Sequence, residues 1–251
     1  MSASTTGRPM LRLDHVRKEF GGIVAVQDFR LAVWPGEIVA LVGDNGAGKS
    51  TVVKIVAGVH RPTSGSIELR GQEVHFNDAG AARRHGVEVV YQDLALAERQ
   101  PVYMNMFLGR ERVSGPLGWL DKRRMVNETQ LLLSELDVRI PSARMLIRDL
   151  SGGQRQAVAI ARATNWATSV ILMDEPTAAL GVGETARVEQ LILQLRSRGR
   201  AILLVSHSLD QVFRVADRIA VLRRGVQIGV QATQQTSHNQ IVSMITGLDT
   251  A

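Results

Sequence analysis

Glu37-Ile38-Val39-Ala40-Leu41-Val42-Gly43-Asp44-Asn45-Gly46-Ala47-Gly48-Lys49-Ser50-Thr51 changes character once, and that change sets the fold. Glu37 to Val42 is short, apolar and β-branched, the pattern of a buried strand. It runs straight into Gly43 to Ser50, which matches G-x-x-x-x-G-K-[ST]. Glycines there let backbone N–H groups turn inward around phosphate oxygens. Ser50 to Val56 then reads as a helix that closes near Gly58, with Pro62 beyond. A helix starting near Lys49 aims the positive end of its dipole at the same anion. Lys49 is suited to reach the terminal phosphates of a nucleotide, and the Ser50 hydroxyl to ligate Mg²⁺. A chance match in a chain of this length has a probability on the order of one per cent.

Working outward, strands and helices alternate on both sides. Leu11 to Leu13 and Ala25 to Val33 alternate loosely and read as antiparallel strands, after a loose tail over residues 1–10. Ser66 to Leu69 and Val87 to Tyr91 look like further strands, and Asp93 to Gly118 has little periodicity. Lys122 to Leu136 is helical by pattern, as is Gly152 to Thr164, opened by Ser151 as N-cap. Val170 to Met173, Ala201 to Val205 and Arg218 to Leu222 are continuous apolar strands. Val188, Leu191, Ile192 and Leu195 fall on one helical face, and Ile241, Ile245 and Leu248 suggest a closing helix. Such strands separated by helices predict a buried parallel sheet.

Two acids, Asp174 and Glu175, follow directly after the strand Val170 to Met173. The carboxyl ends of parallel strands form the ligand crevice of an α/β sheet. Asp174 is a hard oxygen donor for Mg²⁺, and Glu175 is suited to polarise an attacking water. An apolar run ending in Asp-Glu is ordinary by itself; paired with an upstream phosphate loop it reads as the second half of a phosphoryl-transfer site.

The bulk numbers bound the rest. The chain has 251 residues, 45% of them hydrophobic and 4% aromatic, so aliphatic side chains must build the core. There are 0 Cys, which excludes disulfides and thiolate metal sites. The net charge of +6 is spread over short pairs such as Arg83–Arg84 and Arg223–Arg224, which read as solvated faces rather than a nucleic-acid patch. No apolar run approaches the ~20 residues that span a bilayer, so a membrane role is expected to be peripheral.

Leu150-Ser151-Gly152-Gly153-Gln154-Arg155-Gln156 is a serine-capped helix start with two glycines, a second anion-binding geometry. It stands some twenty residues before Asp174-Glu175-Pro176, and in that position it resembles the signature of the ABC ATPases. Gln92 resembles the family's Q-loop glutamine, His207 its switch histidine, and Phe20 the aromatic that stacks on adenine, although core packing explains Phe20 nearly as well. The resemblance covers about Leu11 to Gly247. It implies a P-loop NTPase α/β fold with an N-terminal antiparallel β subdomain, a core over residues 11–92 and 167–251, and a helical subdomain over about 93–166. It implies a head-to-tail pair, with ATP between Gly43 to Thr51 of one copy and Ser151 to Gln154 of the other. Glu175 would then act as general base or orient the water. Gln92 would touch Mg²⁺ and water, and His207 would contact the γ-phosphate. The family usually carries Ser-Ala-Leu-Asp after the acidic pair; here Ala178-Ala179-Leu180-Gly181 stands instead, so weaker coupling between the two sites is expected.

Val90 to Leu96, Asn105 to Glu111 and Ile245-Thr246-Gly247 resemble the simple-sugar importers of the ribose, xylose and fructose type. That resemblance implies a homodimer on the cytoplasmic face of the inner membrane. A permease would dock on Asp93 to Glu111, and a periplasmic sugar-binding protein would act through it. The competing readings are an amino-acid importer, a soluble ABC ATPase acting on ribosomes or DNA, and a regulator that does not hydrolyse.

Overall fold

A computed structural model describes residues 7–248; of the expected tail, residues 1–6 lie outside that range. The chain divides into two compact units. One comprises the chain up to Val89, Ala167–Glu175, and the chain from Leu195 onward; the other comprises Val90–Trp166 and Pro176–Gln194.

The first unit begins with β1 (Leu11–Phe20) and β2 (Ile23–Val33), paired antiparallel. β1 runs on to Phe20, well past the expected Leu13, because a bulge at His15 (φ 51°) disturbs the alternation from which strands are read. β3 (Ile38–Val42) is buried along its whole length and feeds α1 (Lys49–Val56). β4 (Ser64–Leu69) pairs antiparallel with β1 and with β5 (Gln72–Glu73). α2 (Ala79–Arg84), capped by the Asp78 carboxylate, leads to β6 (Val87–Val90).

In the second unit, α3 (Val102–Met106) and β7 (Val113–Ser114) lie in the stretch without periodicity, and β7 pairs in a hairpin with β8 (Trp119–Leu120) just past it. Asn105 is fully buried there; its carboxamide takes the Ala97 N–H at 2.7 Å and donates to the Ala97, Gln100 and Pro101 carbonyls. A side chain thus satisfies backbone groups that a regular element would pair internally. α4 (Lys122–Glu135) and α5 (Gly152–Trp166) follow, α5 burying Val158, Ala159, Ile160, Ala161 and Ala163.

The chain returns to the first unit through β9 (Val170–Asp174). Most of α6 (Val182–Ser197) belongs to the second unit, and it buries the expected Val188, Leu191, Ile192 and Leu195. β10 (Ala201–Val205), α7 (Leu209–Val215), β11 (Arg218–Arg223), β12 (Val226–Ala232) and α8 (His238–Thr246) complete the order. α8 buries Ile241; Leu248, expected on the same face, lies past the helix and is 71% exposed, because Gly247 (φ 77°) ends the helix in the left-handed region.

The sheet has ten strands in the order β5-β4-β1-β2-β12-β11-β3-β10-β9-β6. β11, β3, β10 and β9 run parallel to one another, as continuous apolar runs predict, while the edge from β5 to β2 is antiparallel. Val52, Val53, Ile55 and Val56 of α1 join Val39, Leu41, Leu172 and Leu203 in one core. Each such side chain contributes roughly 1.5–3 kcal/mol on burial, which fixes the strand ends where the chemistry sits.

Candidate active site

The carboxyl ends of β3, β9 and β10 carry the phosphate loop, Asp174 and Ser206-His207 respectively, so the parallel register alone brings three chemically distinct segments together. Two loop glycines are demanded by sterics. A Cβ on Gly43 (φ 151°) would lie 2.0 Å from the Leu222 carbonyl oxygen, and one on Gly48 (φ 106°) 2.6 Å from that of Ala25. Gly48 is also the residue before α1, so the backbone must turn there to present the first N–H groups of the helix.

Lys49 is only 6% exposed, and its ammonium donates to the carbonyls of Gly43 (2.6 Å) and Asp44 (2.9 Å). Burial lowers its pKa, against the pull of Glu175, Asp44 and Asp174. The ammonium is therefore held by dipoles and carboxylates in the site that a polyphosphate would fill. Asn45 to Thr51 line a cavity of about 570 Å³ together with Asp174, Glu175 and His207. Ile23, Val24 and Arg224 line it as well. Isolated at the start of β2 and in the turn after β11, these three carried no motif by which sequence reasoning finds them.

Asp174 ends β9. Burial raises its pKa first, the Glu175 charge second, with Lys49 pulling the other way. Glu175 occupies the left-handed region (φ 51°), a strained conformation for a non-glycine, and its N–H donates to the Val205 carbonyl at 2.9 Å. Its carboxylate meets His207 Nε2 at 2.6 Å. Ser206 holds the histidine's loop: its hydroxyl donates to Gln211 Oε1 (2.8 Å) and accepts the Ser208 N–H (3.1 Å), and Ser206 and Gln211 are buried. Ser208 caps α7 through the Gln211 N–H. Ser206 and Gln211 escaped the sequence reading, although Ser-x-Ser-x-x-Gln is a helix-start pattern.

Ser50 and Asp174 are hard oxygen donors lining one cavity, which suits Mg²⁺, a cation that takes few protein ligands and keeps phosphate and water oxygens. Among the described residues no group of three or more His, Cys, Asp or Glu is arranged to hold a metal by itself. The donor set therefore fits a cation that arrives with a nucleotide.

Ser151 to Gln154 form the start of α5 in the second unit. The Ser151 hydroxyl accepts the Gln154 N–H at 3.3 Å, and the Gln154 side chain accepts the Ser151 N–H at 3.0 Å, a reciprocal cap. Gln92 is exposed in the bend after β6 and also belongs to the second unit. Phe20 is not a core side chain: it is 42% exposed, lies edge-on to His60, and carries Lys18 Nζ 4.8 Å from its ring centre. It is not among the residues that line the cavity.

A phosphate loop, an acidic strand end with a histidine partner, and a separate serine-glycine helix start define a phosphoryl-transfer cassette. Residues 26–178 match the family described as ABC transporter, and the chain belongs to that family. It is 44% identical to the xylose/arabinose import ATP-binding protein XylG of Sulfolobus acidocaldarius, over 94% of each chain. It is 42% identical to the fructose import ATP-binding protein FrcA of Rhizobium meliloti, over 95% of this chain and 94% of that one. Ribose import ATP-binding protein RbsA 3 of Rubrobacter xylanophilus is 41% identical over 95% of this chain, which spans only 48% of that relative. In fold, the chain is similar to the ADP conformation of MJ1267, an ATP-binding cassette of an ABC transporter (TM-score 0.82, 23% identity, 96% and 99% coverage). It is likewise similar to the dimeric structure of MJ0796, a bacterial ABC transporter cassette (TM-score 0.74, 25% identity, 90% and 100% coverage). The chain is thus an ATP-hydrolysing ATP-binding cassette. No helix among the described residues is long and apolar enough to cross a membrane.

Proposed function

We propose that this cassette works as a homodimer on the cytoplasmic face of the inner membrane, hydrolysing Mg²⁺–ATP to drive import of a monosaccharide through a permease. The observation that carries the chemistry is the convergence of Lys49, Ser50, Asp174, Glu175 and His207 on one cavity. Lys49 and the N–H groups of the loop bind the phosphates, and Ser50 and Asp174 would hold Mg²⁺, which would draw charge from the phosphate oxygens. Glu175 orients and polarises the attacking water, and His207 fixes the Glu175 carboxylate and contacts the γ-phosphate. Ser151 to Gln154 of a second copy close the site over the γ-phosphate, and Gln92 would touch Mg²⁺ and the water and report to the permease, which docks on Asp93 to Glu111. Phe20, exposed at the end of β1, offers its ring to adenine. The sugar itself is recognised by the permease and a periplasmic binding protein.

The sugar reading rests on relatives named for xylose/arabinose, fructose and ribose import. Uptake of labelled xylose, fructose and ribose by cells carrying wild type or Glu175→Gln tests it. Uptake of at least one sugar is expected to fall to background in the variant. Sugar uptake unchanged, with labelled amino acids excluded instead, would move the substrate to the amino-acid class.

A further inference from the structure

Glu184, in the first turn of α6, reaches onto the serine-glycine start of α5 within the same unit. Its Oε1 accepts the Ser151 hydroxyl proton at 2.9 Å and the Gly153 N–H at 3.0 Å. The fit is close: a Cβ on Gly153 would lie 2.9 Å from Glu184 Cβ and 3.1 Å from its carboxyl carbon. The Gly153 N–H, then the Ser151 hydroxyl, hold the Glu184 carboxyl below the usual carboxylate range. The Gly181 N–H, at the start of its own helix, also pulls the carboxyl down, but the hydroxyl and amide of α5 place this anion in an anion seat.

We propose that Glu184 is the cassette's own occupant of its signature seat, competing with the γ-phosphate presented by the partner copy and so setting the ATP concentration at which the pair closes. This rests on the reading that Ser151 to Gln154 bind phosphate in trans. Ser151 has a single hydroxyl proton and Gly153 a single amide proton, and Oε1 takes both. An arriving phosphate oxygen needs the same two donors and meets a like charge. Closure therefore requires Glu184 to swing away from α5, and nucleotide and carboxylate occupancy are exclusive. Gly181, where the family's aspartate would stand, is exposed with nothing within 4 Å of an added Cβ. The carboxylate of this turn is thus directed onto its own α5 rather than supplied at position 181.

The test is ATP-driven dimerisation in the hydrolysis-blocked Glu175→Gln protein, read by light scattering after size exclusion across an ATP–Mg²⁺ titration. Adding Glu184→Ala is expected to lower the half-maximal ATP concentration about tenfold. Adding Glu184→Gln, which keeps the shape and an acceptor but loses the charge, is expected to lower it by a smaller factor. Adding Ser151→Ala is expected to weaken dimerisation whether or not Glu184 is present. A midpoint that stays put or rises with Glu184→Ala, while Ser151→Ala still weakens the dimer, overturns the competition and makes Glu184 a plain brace for α5. Dimerisation indifferent to Ser151→Ala refutes instead the trans-signature reading beneath it. Circular dichroism on each variant, with Glu184→Gln as the near-isosteric control, separates misfolding from either result.

Discussion

At Lys49 the buried ammonium donates to the carbonyls of Gly43 and Asp44, which hold the charge where phosphate oxygens would arrive. Lys49→Ala is expected to weaken ATP binding about 10- to 100-fold, the worth of one charge-assisted contact, in calorimetric titration. Asp174 makes the opposite case. Its raised pKa means the folded, nucleotide-free chain holds the proton more tightly than the unfolded chain. That contribution is complete below the ordinary value of 3.8 and is lost as pH rises through the folded pKa. At pH 7 the charged carboxylate therefore burdens the free protein. Asp174→Asn should raise its Tm by about 2–4 °C, on the order of 1 kcal/mol, while hydrolysis falls to background. A lower Tm in that variant would place the carboxylate in a stabilising role. Ser206 acts one step further out. Ser206→Ala frees the loop that carries His207 and should lower kcat about tenfold with ATP affinity unchanged, because it touches geometry and not binding.

At the scale of the element, α8 offers a test free of the chemistry. Its capping box joins Ser237 and Gln240. Ser237→Ala should remove about 1 kcal/mol, read as a Tm lower by about 2–4 °C with kcat unaltered. Which elements were legible in the sequence follows from the physics of each. The parallel strands β3, β9 and β10 were readable because burial on both faces leaves an uninterrupted apolar run. The glycine loop was readable because Gly43 and Gly48 meet backbone from β11 and β2, which no side chain tolerates. β12 and α7 were missed: β12 is half-exposed with Gly229 inside it, and α7 is too short for a period to emerge. α3 was hidden because a buried asparagine holds its neighbourhood by side-chain bonds that leave no hydrophobic rhythm. Among site residues, those with a charge or glycine motif were legible. Ile23, Val24, Arg224 and Glu184 were not, because each matters only for what lies beside it in space.

For the whole molecule, the central claim is that each ATP is completed by two copies of the chain: the phosphate loop of one and the serine-glycine start of α5 from the other. Gly181 carries no carboxylate to join the two sites, so weak coupling is expected, enough for one complete site to turn over beside an incomplete one. Mixing two inactive variants measures both points at once. Lys49→Ala has no working phosphate loop but an intact α5 start; Gly153→Asp has the reverse, with a fixed negative charge in the anion seat. Either alone should be inactive. Equimolar mixing places half the dimers in the mixed form, each with one complete site, so ATPase activity should return to about a quarter of the wild-type rate. Activity that never exceeds the sum of the separate variants, in mixtures shown to form mixed dimers, would contradict the account.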